Sequence, residues 1–453
     1  MRRSYKLALG SFAAASALSL LPEPTAHACG GCFVQQTEST QVTGHRMVLS
    51  VSKAQTTLYD QISYSGEPAD FAWVLPIRGQ VDIGLSSDAL FAALETYTQV
   101  NVYSPQINCA PPPSCDDSNF SPGGATGAGG SSGGPVEVIA QEVVGPYETV
   151  QLHSTDPAAL ATWLADHGYN VPADVQPVID AYIAEGFDFL ALRLVPGQGI
   201  DSMRPVRVTS PGAGPALPLR MVAAGTGAIT PISFWVIGEG RYVPQNFHSF
   251  QISEQELVWD WDAQRSNYSD LRSQGYAAYG GSNWLIEAGE SLYPWAFDEL
   301  LYTAENFALD SGYADDDGQN ALANAQADID TLLAGINPDS AVISHLSAEL
   351  SRPALAADLT LQASTDQSYV QRTFYVQNAT GTEPECPTYE PVDCGNGPAL
   401  GGSGSGGGTA SSQDGSLCTA SPQSSVAAMS APAALTSGLL FAWLVARRRR
   451  RAS

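Results

Sequence analysis

Lysine is almost absent from this chain of 453 residues. Lys6 lies near the N-terminus, and Lys53 is the only lysine after it. A phosphate-binding loop of the G-x-x-x-x-G-K type needs a lysine directly after its glycines, and neither lysine stands in that context. Positive charge is scarce overall, because 20 Lys and Arg residues face 46 Asp and Glu residues. Such an acidic chain repels phosphate backbones, which disfavours nucleic acid as a partner.

The excess of negative charge grows once the two ends are set aside. Residues 1–28 hold three basic residues and one acid, Glu23, and residues 447–451 hold five basic residues. The remainder has 12 basic residues against 45 acids, a net charge near −33. This charge disfavours anionic membrane surfaces as partners. It indicates either solubility in an ionic exterior, which needs no binding site, or attraction of divalent cations.

Calcium is the one cofactor that the sequence suggests. Asp315, Asp316 and Asp317 precede Gly318 as in part of a D-x-D-x-D-G calcium loop, but Tyr313 stands where the pattern requires its first aspartate. A helix that begins near Asp317 would give that carboxylate a role without a metal, because negative charge is favourable at a helix N-terminus. No other cofactor and no metal site is predicted.

Residues 1–28 have the three parts of a secretory signal peptide. Arg2, Arg3 and Lys6 precede an apolar run at residues 7–21, and an A-x-A cleavage site ends at Ala28. We therefore predict that the chain is exported. The folded part then corresponds to residues 29–394, which we call the body.

The C-terminal segment, residues 418–453, is predicted to be an anchor or a sorting signal. Residues 426–446 carry no charge, and a span of about 20 residues can cross a bilayer. The basic cluster that follows consists of Arg447, Arg448, Arg449, Arg450 and Arg451. Flanking arginines stay on the cytoplasmic side and stop translocation, so the body is predicted to face outward.

Seven cysteines form three close pairs and one singleton. The pairs are Cys29 with Cys32, Cys109 with Cys115, and Cys386 with Cys394, and the singleton is Cys418. Close pairs in an exported chain indicate disulfides, and pairing between neighbours is the simplest arrangement. The first pair has C-x-x-C spacing but lacks the preceding strand of a thioredoxin-like redox motif. Lipoprotein processing at Cys29 is an alternative role for that residue.

Two stretches of low complexity divide the chain. Residues 104–135 are rich in Pro, Gly and Ser and are predicted to be a flexible insertion in the body. Residues 395–417 have a similar composition and are predicted to be a spacer between the body and the C-terminal segment.

The body shows strand and helix patterns in mixed order. Residues 45–51 and 58–64 alternate as strands, and residues 71–75 are apolar on both faces, as in a central strand. Ser87 is positioned to cap a helix, and a later helix is predicted over 317–335 with Leu322, Ile329 and Leu333 inward. We predict an α+β fold of mixed, mostly antiparallel sheets with helices packed on them, in one or two lobes.

No catalytic motif stands out. The histidines of the mature chain are His45, His153, His167, His248 and His345. They lack the close spacing of metal ligands, so each is interpreted as structural. In the run from Trp259 to Asp262, which reads W-D-W-D, a strand would place both tryptophans on one face and both aspartates on the other. Burial explains this pattern, and sugar binding is the alternative.

Several stretches resemble a known family. Residues 28–33 read A-C-G-G-C-F, and residues 64–77 read Y-S-G-E-P-A-D-F-A-W-V-L-P-I. With shorter matches at 87–91 and 234–238, residues 28 to 376 resemble the domain of unknown function 2330 (DUF2330) family of exported bacterial proteins. The resemblance implies export and a shared fold. The family has no assigned activity, so the resemblance implies no catalytic residue.

The tail has a resemblance of its own. Cys418, the apolar segment and the arginine cluster together are similar to the myxobacterial type of C-terminal sorting signal. In that signal the cysteine is taken as the point of cleavage and attachment. The alternative is a plain transmembrane anchor beside a free thiol.

The sequence therefore favours a protein that binds or scaffolds outside the cytoplasm, attached to the membrane by its C-terminal segment, with an unidentified partner. An exported hydrolase whose site is assembled only by the fold is the alternative. Two carboxylates, or a histidine with a serine or cysteine, converging in a pocket would indicate such an enzyme. Calcium-dependent adhesion is the second alternative.

Overall fold

A computed structural model describes residues 32–33, 41–65, 72–109, 142–153, 161–162, 166, 175–195, 203–223, 226–314 and 318–388. The predicted signal peptide, most of the predicted insertion, the spacer and the C-terminal segment lie outside these residues.

In chain order the strands are β1 (Cys32–Phe33), β2 (Gln41–Val51), β3 (Gln55–Ser65), β4 (Ala72–Ile77), β5 (Asp82–Leu85), β6 (Asn101–Tyr103), β7 (Glu142–Val144), β8 (Tyr147–Leu152), β9 (Asp188–Leu194), β10 (Val206–Pro211), β11 (Ala216–Leu217), β12 (Ile229–Glu239), β13 (Tyr242–Pro244), β14 (His248–Phe250), β15 (Val258–Asp260), β16 (Arg265–Ser266), β17 (Asn283–Ser291), β18 (Ala341–Ser351), β19 (Leu359–Ala363), β20 (Thr373–Tyr375) and β21 (Asn378–Thr380). The helices are α1 (Asp88–Thr98), α2 (Gln176–Ala184), α3 (Leu219–Val222), α4 (Tyr268–Ala277), α5 (Asp298–Asn306) and α6 (Ala321–Leu332).

Two large sheets form the centre of the fold. The first has eight strands in the order β14-β17-β18-β12-β2-β3-β10-β5, and the second has five in the order β1-β4-β9-β8-β7. In the first sheet β12 pairs with β2, and β14 with β17, in parallel, whereas the other pairs are antiparallel. Mixed, mostly antiparallel sheets with helices packed on them confirm the predicted α+β class.

The eight-stranded sheet is covered on both faces. Its sheet face packs against the five-stranded sheet, where Met47 and Phe234 share one apolar cluster with Trp73 and Leu192. Its helix face packs against α1, α5 and α6, where Trp235 clusters with residues of all three helices. Helix α2 covers the outer face of the five-stranded sheet. The order of layers is therefore helix, sheet, sheet, helix.

Burial on two sides explains the composition of the central strands. In β12 the side chains of Phe234 and Val236 point to the sheet face, and those of Trp235 and Ile237 point to the helix face. All four are fully buried. A strand that is covered on both faces has apolar residues at successive positions instead of alternating ones, and the sequence of β12 has this pattern.

The helices agree with the sequence in position and differ in detail. Helix α1 follows Ser87, but the Ser87 side chain makes no capping hydrogen bond to the helix. Helix α6 begins at Ala321, later than predicted, and Leu322 is 45% exposed rather than inward. The inward stripe runs through Ala325 and the predicted Ile329, because it follows the helical repeat from Ala321, and the predicted Leu333 is partly buried against the same cluster.

The disulfide pairing differs from the neighbour pairing that the sequence suggested. Cys109 is bonded to Cys386 across 277 residues of sequence, with a Cα–Cα distance of 5.3 Å. The cause is the parallel pairing of β6 with β20, which brings the segments that follow these strands together. Cys109 therefore does not pair with its neighbour Cys115, and Cys386 does not pair with Cys394.

All described residues belong to one compact unit. None of the helices in the described ranges is long and apolar enough to cross a membrane.

Candidate functional site

Five large apolar side chains lie exposed along one stretch of the helix layer. They are Tyr293, Trp295, Tyr302, Phe307 and Leu309, each between 53% and 60% exposed. Their sequence neighbours Leu292, Phe297 and Leu300 are buried against the sheet, so α5 and the turn before it are apolar on both sides. We call these five residues the aromatic surface. An exposed apolar patch of this kind is a binding site more often than the ordinary polar surface of a protein is.

Contacts from α1 fix the tryptophan of this surface. The Trp295 ring lies parallel to Tyr293 at 6.3 Å and meets Tyr97 edge-on at 5.3 Å. The Tyr97 hydroxyl donates to the carbonyl of Ser291 at 2.8 Å, which holds that ring in place. Trp295 is therefore both exposed and positioned, so a ligand that stacks on it would meet a pre-ordered ring.

The aromatic surface lies in an acidic stretch of chain. Between Arg272 and Arg352 the sequence has 13 Asp and Glu residues and no Lys or Arg. Asp298 and Glu299 are exposed in the first turn of α5, directly after Trp295 and its turn. The face of an aromatic ring attracts cations, and neighbouring carboxylates strengthen that preference.

A serine, a histidine and a glutamate converge on the helix face of the eight-stranded sheet. They come from three adjacent strands, with Ser233 in β12, His345 in β18 and Glu287 in β17. Ser233 Oγ lies 2.9 Å from His345 Nε2, and His345 Nδ1 lies 3.4 Å from a carboxylate oxygen of Glu287. We call these three residues the Ser-His-Glu cluster.

Thr98, the last residue of α1, determines the tautomer of His345. The Thr98 hydroxyl donates to the carbonyl of Leu94 at 2.7 Å and accepts from Trp235 Nε1 at 2.9 Å. Its remaining lone pair faces His345 Nδ1 at 3.2 Å. Because that hydroxyl has already used its hydrogen, Nδ1 must be the donor, and Nε2 is left with its lone pair toward Ser233.

Burial sets the charge states in this cluster. The imidazole of His345 is fully buried and stacks on Trp235 at 4.6 Å. Burial lowers the pKa of His345 to about 4, so the ring is neutral at pH 7. Burial also raises the pKa of Glu287, which the hydrogen bond from Ser347 and the charge of Arg272 partly offset. A neutral imidazole with a free Nε2 lone pair can accept a proton from a serine hydroxyl.

A β-bulge places Glu287 in the cluster. The pairing of β17 with β18 shifts between Ile286 and Ala288, so Glu287 is the extra residue. Bulges turn a side chain away from the regular alternation, and they are common beside active sites. Arg272 of α4 lies 3.9 Å from the Glu287 carboxylate.

A second polar group under the helix layer has a structural role. Asp328 of α6 is buried and accepts hydrogen bonds from Arg207 at 2.9 Å, from Ser86 at 2.5 Å and from Tyr313 at 2.9 Å. Burial raises the pKa of Asp328, and these donors counteract the shift. Both carboxylate oxygens have partners, so this group ties α6 to the sheet.

The other histidines lie apart from one another. His45 is buried on the sheet face beside Asp60, with 3.1 Å between Nδ1 and the carboxylate. His153 lies beside Asp188, and His248 stacks on Tyr279. His167 lies outside the described residues. No group of three or more metal-ligating side chains occurs in the part of the chain that the structure describes.

The W-D-W-D run is a strand end rather than a four-residue strand. Trp259 and Asp260 end β15, and the chain turns at Trp261. Asp260 accepts from the backbone N–H groups of Asp262 and Ala263, so its carboxylate closes the turn. The predicted opposition of two tryptophans and two aspartates is therefore wrong.

Several residues singled out in the sequence cannot be placed. Cys32 is in β1, whereas Cys29, Cys115, Cys394 and Cys418 lie outside the described residues, as do Asp315, Asp316, Asp317 and Arg447 to Arg451. The Ser-His-Glu cluster was missed by sequence reasoning because Ser233 and His345 are 112 residues apart and carry no motif. The aromatic surface had a signal, since the stretch from Tyr293 is rich in aromatics and lacks basic residues.

Comparison with solved structures returned one match, the crystal structure of baculovirus P35, which is 11% identical, with a TM-score of 0.26. The match covers 46% of this chain and 66% of that one, just under two thirds. We draw nothing about fold or function from so weak a likeness. No curated protein sequence matches the chain.

A family model described as an uncharacterized protein conserved in bacteria (DUF2330) matches residues 23–288, more than half of the chain. This match agrees with the resemblance seen in the sequence. The chain belongs to the DUF2330 family.

Proposed function

We propose that this protein is exported, is held at the cell envelope by residues 418–453, and binds a cationic partner through the aromatic surface. Support for export and attachment comes from the sequence of the two ends. Support for binding comes from the structure of the body. The partner is a protein or peptide segment rich in arginine or lysine.

One observation carries the binding proposal: five large apolar side chains are exposed in a stretch that has no basic residue. A soluble domain scatters single apolar residues over its surface, whereas a run of them marks a contact region. The five exposed side chains are not needed to pack α5 on the sheet, because α5 already buries Leu300 and Ala304 on its inner side. The outer aromatics are therefore available to a partner.

The chemistry of this surface selects the charge of the partner. The rings of Trp295 and Tyr293 attract a guanidinium or ammonium group, each contact being worth about 0.5–2 kcal/mol. Asp298 and Glu299 add carboxylates next to the rings. An acidic or phosphorylated partner would be repelled by the same residues.

A titration of the purified body with a nona-arginine peptide tests the proposal. Replacement of Tyr293 and Trp295 together by alanine removes the rings and leaves the net charge unchanged. We expect this variant to weaken binding about tenfold, equivalent to about 1.4 kcal/mol. Affinity should also fall as salt is raised, because the carboxylates contribute.

The matched control is Tyr279→Ala. Tyr279 is also exposed, at 65%, but it lies before the start of β17, whereas Tyr293 follows its end. Equal affinity of Tyr279→Ala and the double variant would show that net charge alone binds the peptide, which contradicts the proposal. Export and attachment are tested separately by truncation after Cys394, which should release a soluble body into the external fraction.

A further inference from the structure

The geometry of the Ser-His-Glu cluster points to an activity that binding does not require. We propose that Ser233 is a nucleophile for the hydrolysis of small esters, with His345 as its general base and Glu287 as the group that stabilises the protonated imidazole. The proposal is independent of the aromatic surface, and it would stand if the cationic partner were disproved.

The hydrogen-bond directions satisfy what a serine nucleophile needs. His345 Nδ1 donates toward Thr98 and Glu287, so Nε2 accepts the Ser233 hydroxyl proton at 2.9 Å. A base within about 2.6–3.2 Å of the proton it removes meets the geometric condition for general-base catalysis. A base held by a third group is the arrangement shared by serine hydrolases on unrelated folds.

The side chain of Ser233 lies in a polar row on the helix face of the sheet. Ser233 is half-buried, and its neighbours across the sheet are Arg46 in β2 and Ser347 in β18. Arg46 in turn aligns with Gln61 of β3. The row of these four residues is polar, and the next row on the same face carries Trp235 and His345. Because the helix layer covers the neighbouring row of this face, only a small ester, and not a polymer, could reach the Ser233 hydroxyl.

The reaction needs only water and the ester. Ser233 Oγ forms a bond to the carbonyl carbon as its proton passes to His345 Nε2. The C–O bond to the alcohol then breaks, and the alcohol leaves with that proton. Water attacks the acyl-serine with His345 again taking the proton, and the products are a carboxylic acid and free Ser233.

A fluorophosphonate probe tests this assignment, because it phosphonylates only activated serines. Treatment of the purified protein followed by peptide mass spectrometry should locate the label on Ser233, and Ser233→Ala should abolish labelling. Ser50→Ala is the matched control. Ser50 is a buried serine of β2, but its hydroxyl donates to the carbonyl of Leu332 at 2.5 Å instead of facing an imidazole.

Two further variants separate chemistry from folding. His345→Gln should lower the labelling rate by about 100-fold or more. Thr98→Val keeps the shape of the positioning residue but frees the imidazole tautomer, and we expect about a tenfold decrease that Thr98→Ser restores. An unlabelled wild-type protein, a label on another serine, or an unchanged rate in a folded Thr98→Val variant would each overturn the proposal.

Discussion

The two faces of the eight-stranded sheet each bury one histidine, and the two histidines have different surroundings. On the sheet face, His45 contacts Asp60 through Nδ1, and its Nε2 is buried without a hydrogen-bond partner. On the helix face, both nitrogens of His345 have polar partners. The same side chain is therefore isolated in one layer and part of a network in the other.

The difference follows from what packs on each face. Opposing strands of the five-stranded sheet present apolar side chains such as Trp73 and Leu192 to the sheet face. Helix ends present hydroxyls and free backbone groups, and Thr98 at the end of α1 is one of them. The helix face can therefore satisfy buried polar groups, and the candidate chemistry is found on that face.

The largest effect expected from this contrast is at Asp328. Asp328→Ala removes the buried carboxylate, which leaves the partly exposed Arg207 without its ion pair and the hydroxyls of Ser86 and Tyr313 without their acceptor, and this should cost about 3–5 kcal/mol. Asp330→Ala, two residues on in the same helix but exposed, should change stability by less than about 0.5 kcal/mol. Urea unfolding of both variants measures the difference. Equal stabilities would mean that the helix face does not depend on its polar network.

The second effect is a dependence of stability on pH that originates on the helix face. The pKa of His345 is lowered from 6.5 to about 4 in the folded state, so the unfolded chain binds a proton first as pH falls. Stability is therefore lost between pH 6.5 and pH 4, by roughly 3 kcal/mol over the whole window. The raised pKa of Glu287 acts in the opposite direction, because its folded form takes up a proton more readily.

The measurement is the difference in unfolding free energy between wild type and His345→Gln at a series of pH values. The Glu287 contribution is common to both proteins to a first approximation. We expect the difference to shrink toward pH 4 as wild type loses its advantage. A difference that stays constant over this window would contradict the lowered pKa of His345.

Much of the fold was predictable from local patterns. The alternation in residues 45–51 and 58–64 corresponds to β2 and β3, and the apolar run at 71–75 corresponds to β4. Each pattern depends only on burial of one or both faces of a strand. Strand order was not predictable, because β12 pairs with β2 and β18, which lie far away in sequence on either side.

The candidate sites depended on the same long-range order. Ser233 and His345 meet because β12 and β18 are adjacent, and Glu287 joins them through a bulge that no sequence pattern indicated. Cys109 likewise found a partner set by strand pairing rather than by proximity in sequence. The aromatic surface was not predicted either, although its composition is local and only its exposure needed the structure.

The smallest effect is expected on the sheet face, where the buried histidine is replaced together with its partner, and the same change on the helix face gives the closest test of the contrast between faces. On the sheet face His45→Leu with Asp60→Val should be neutral to slightly stabilising, within about 1 kcal/mol. Asp60 lines a small pocket with Met47 and Trp73, so an apolar side chain at this position meets apolar neighbours. Buried polar pairs replaced by apolar side chains of similar volume are often tolerated in this way. His45→Leu alone should be worse than the double variant, because it leaves the Asp60 carboxylate buried and unpaired.

On the helix face the corresponding change, His345→Leu with Ser233→Ala, should cost several kcal/mol. Trp235 still satisfies one lone pair of Thr98 after this change, but the Glu287 carboxylate loses the imidazole beside it, and the stacking of His345 on Trp235 is lost as well. Each buried polar group left without a partner costs about 1–3 kcal/mol. Thermal unfolding of the two double variants gives the comparison directly. If both double variants lose the same stability, the network around His345 stabilises the fold no more than the pair at His45 does. The contrast between the two faces would then be wrong.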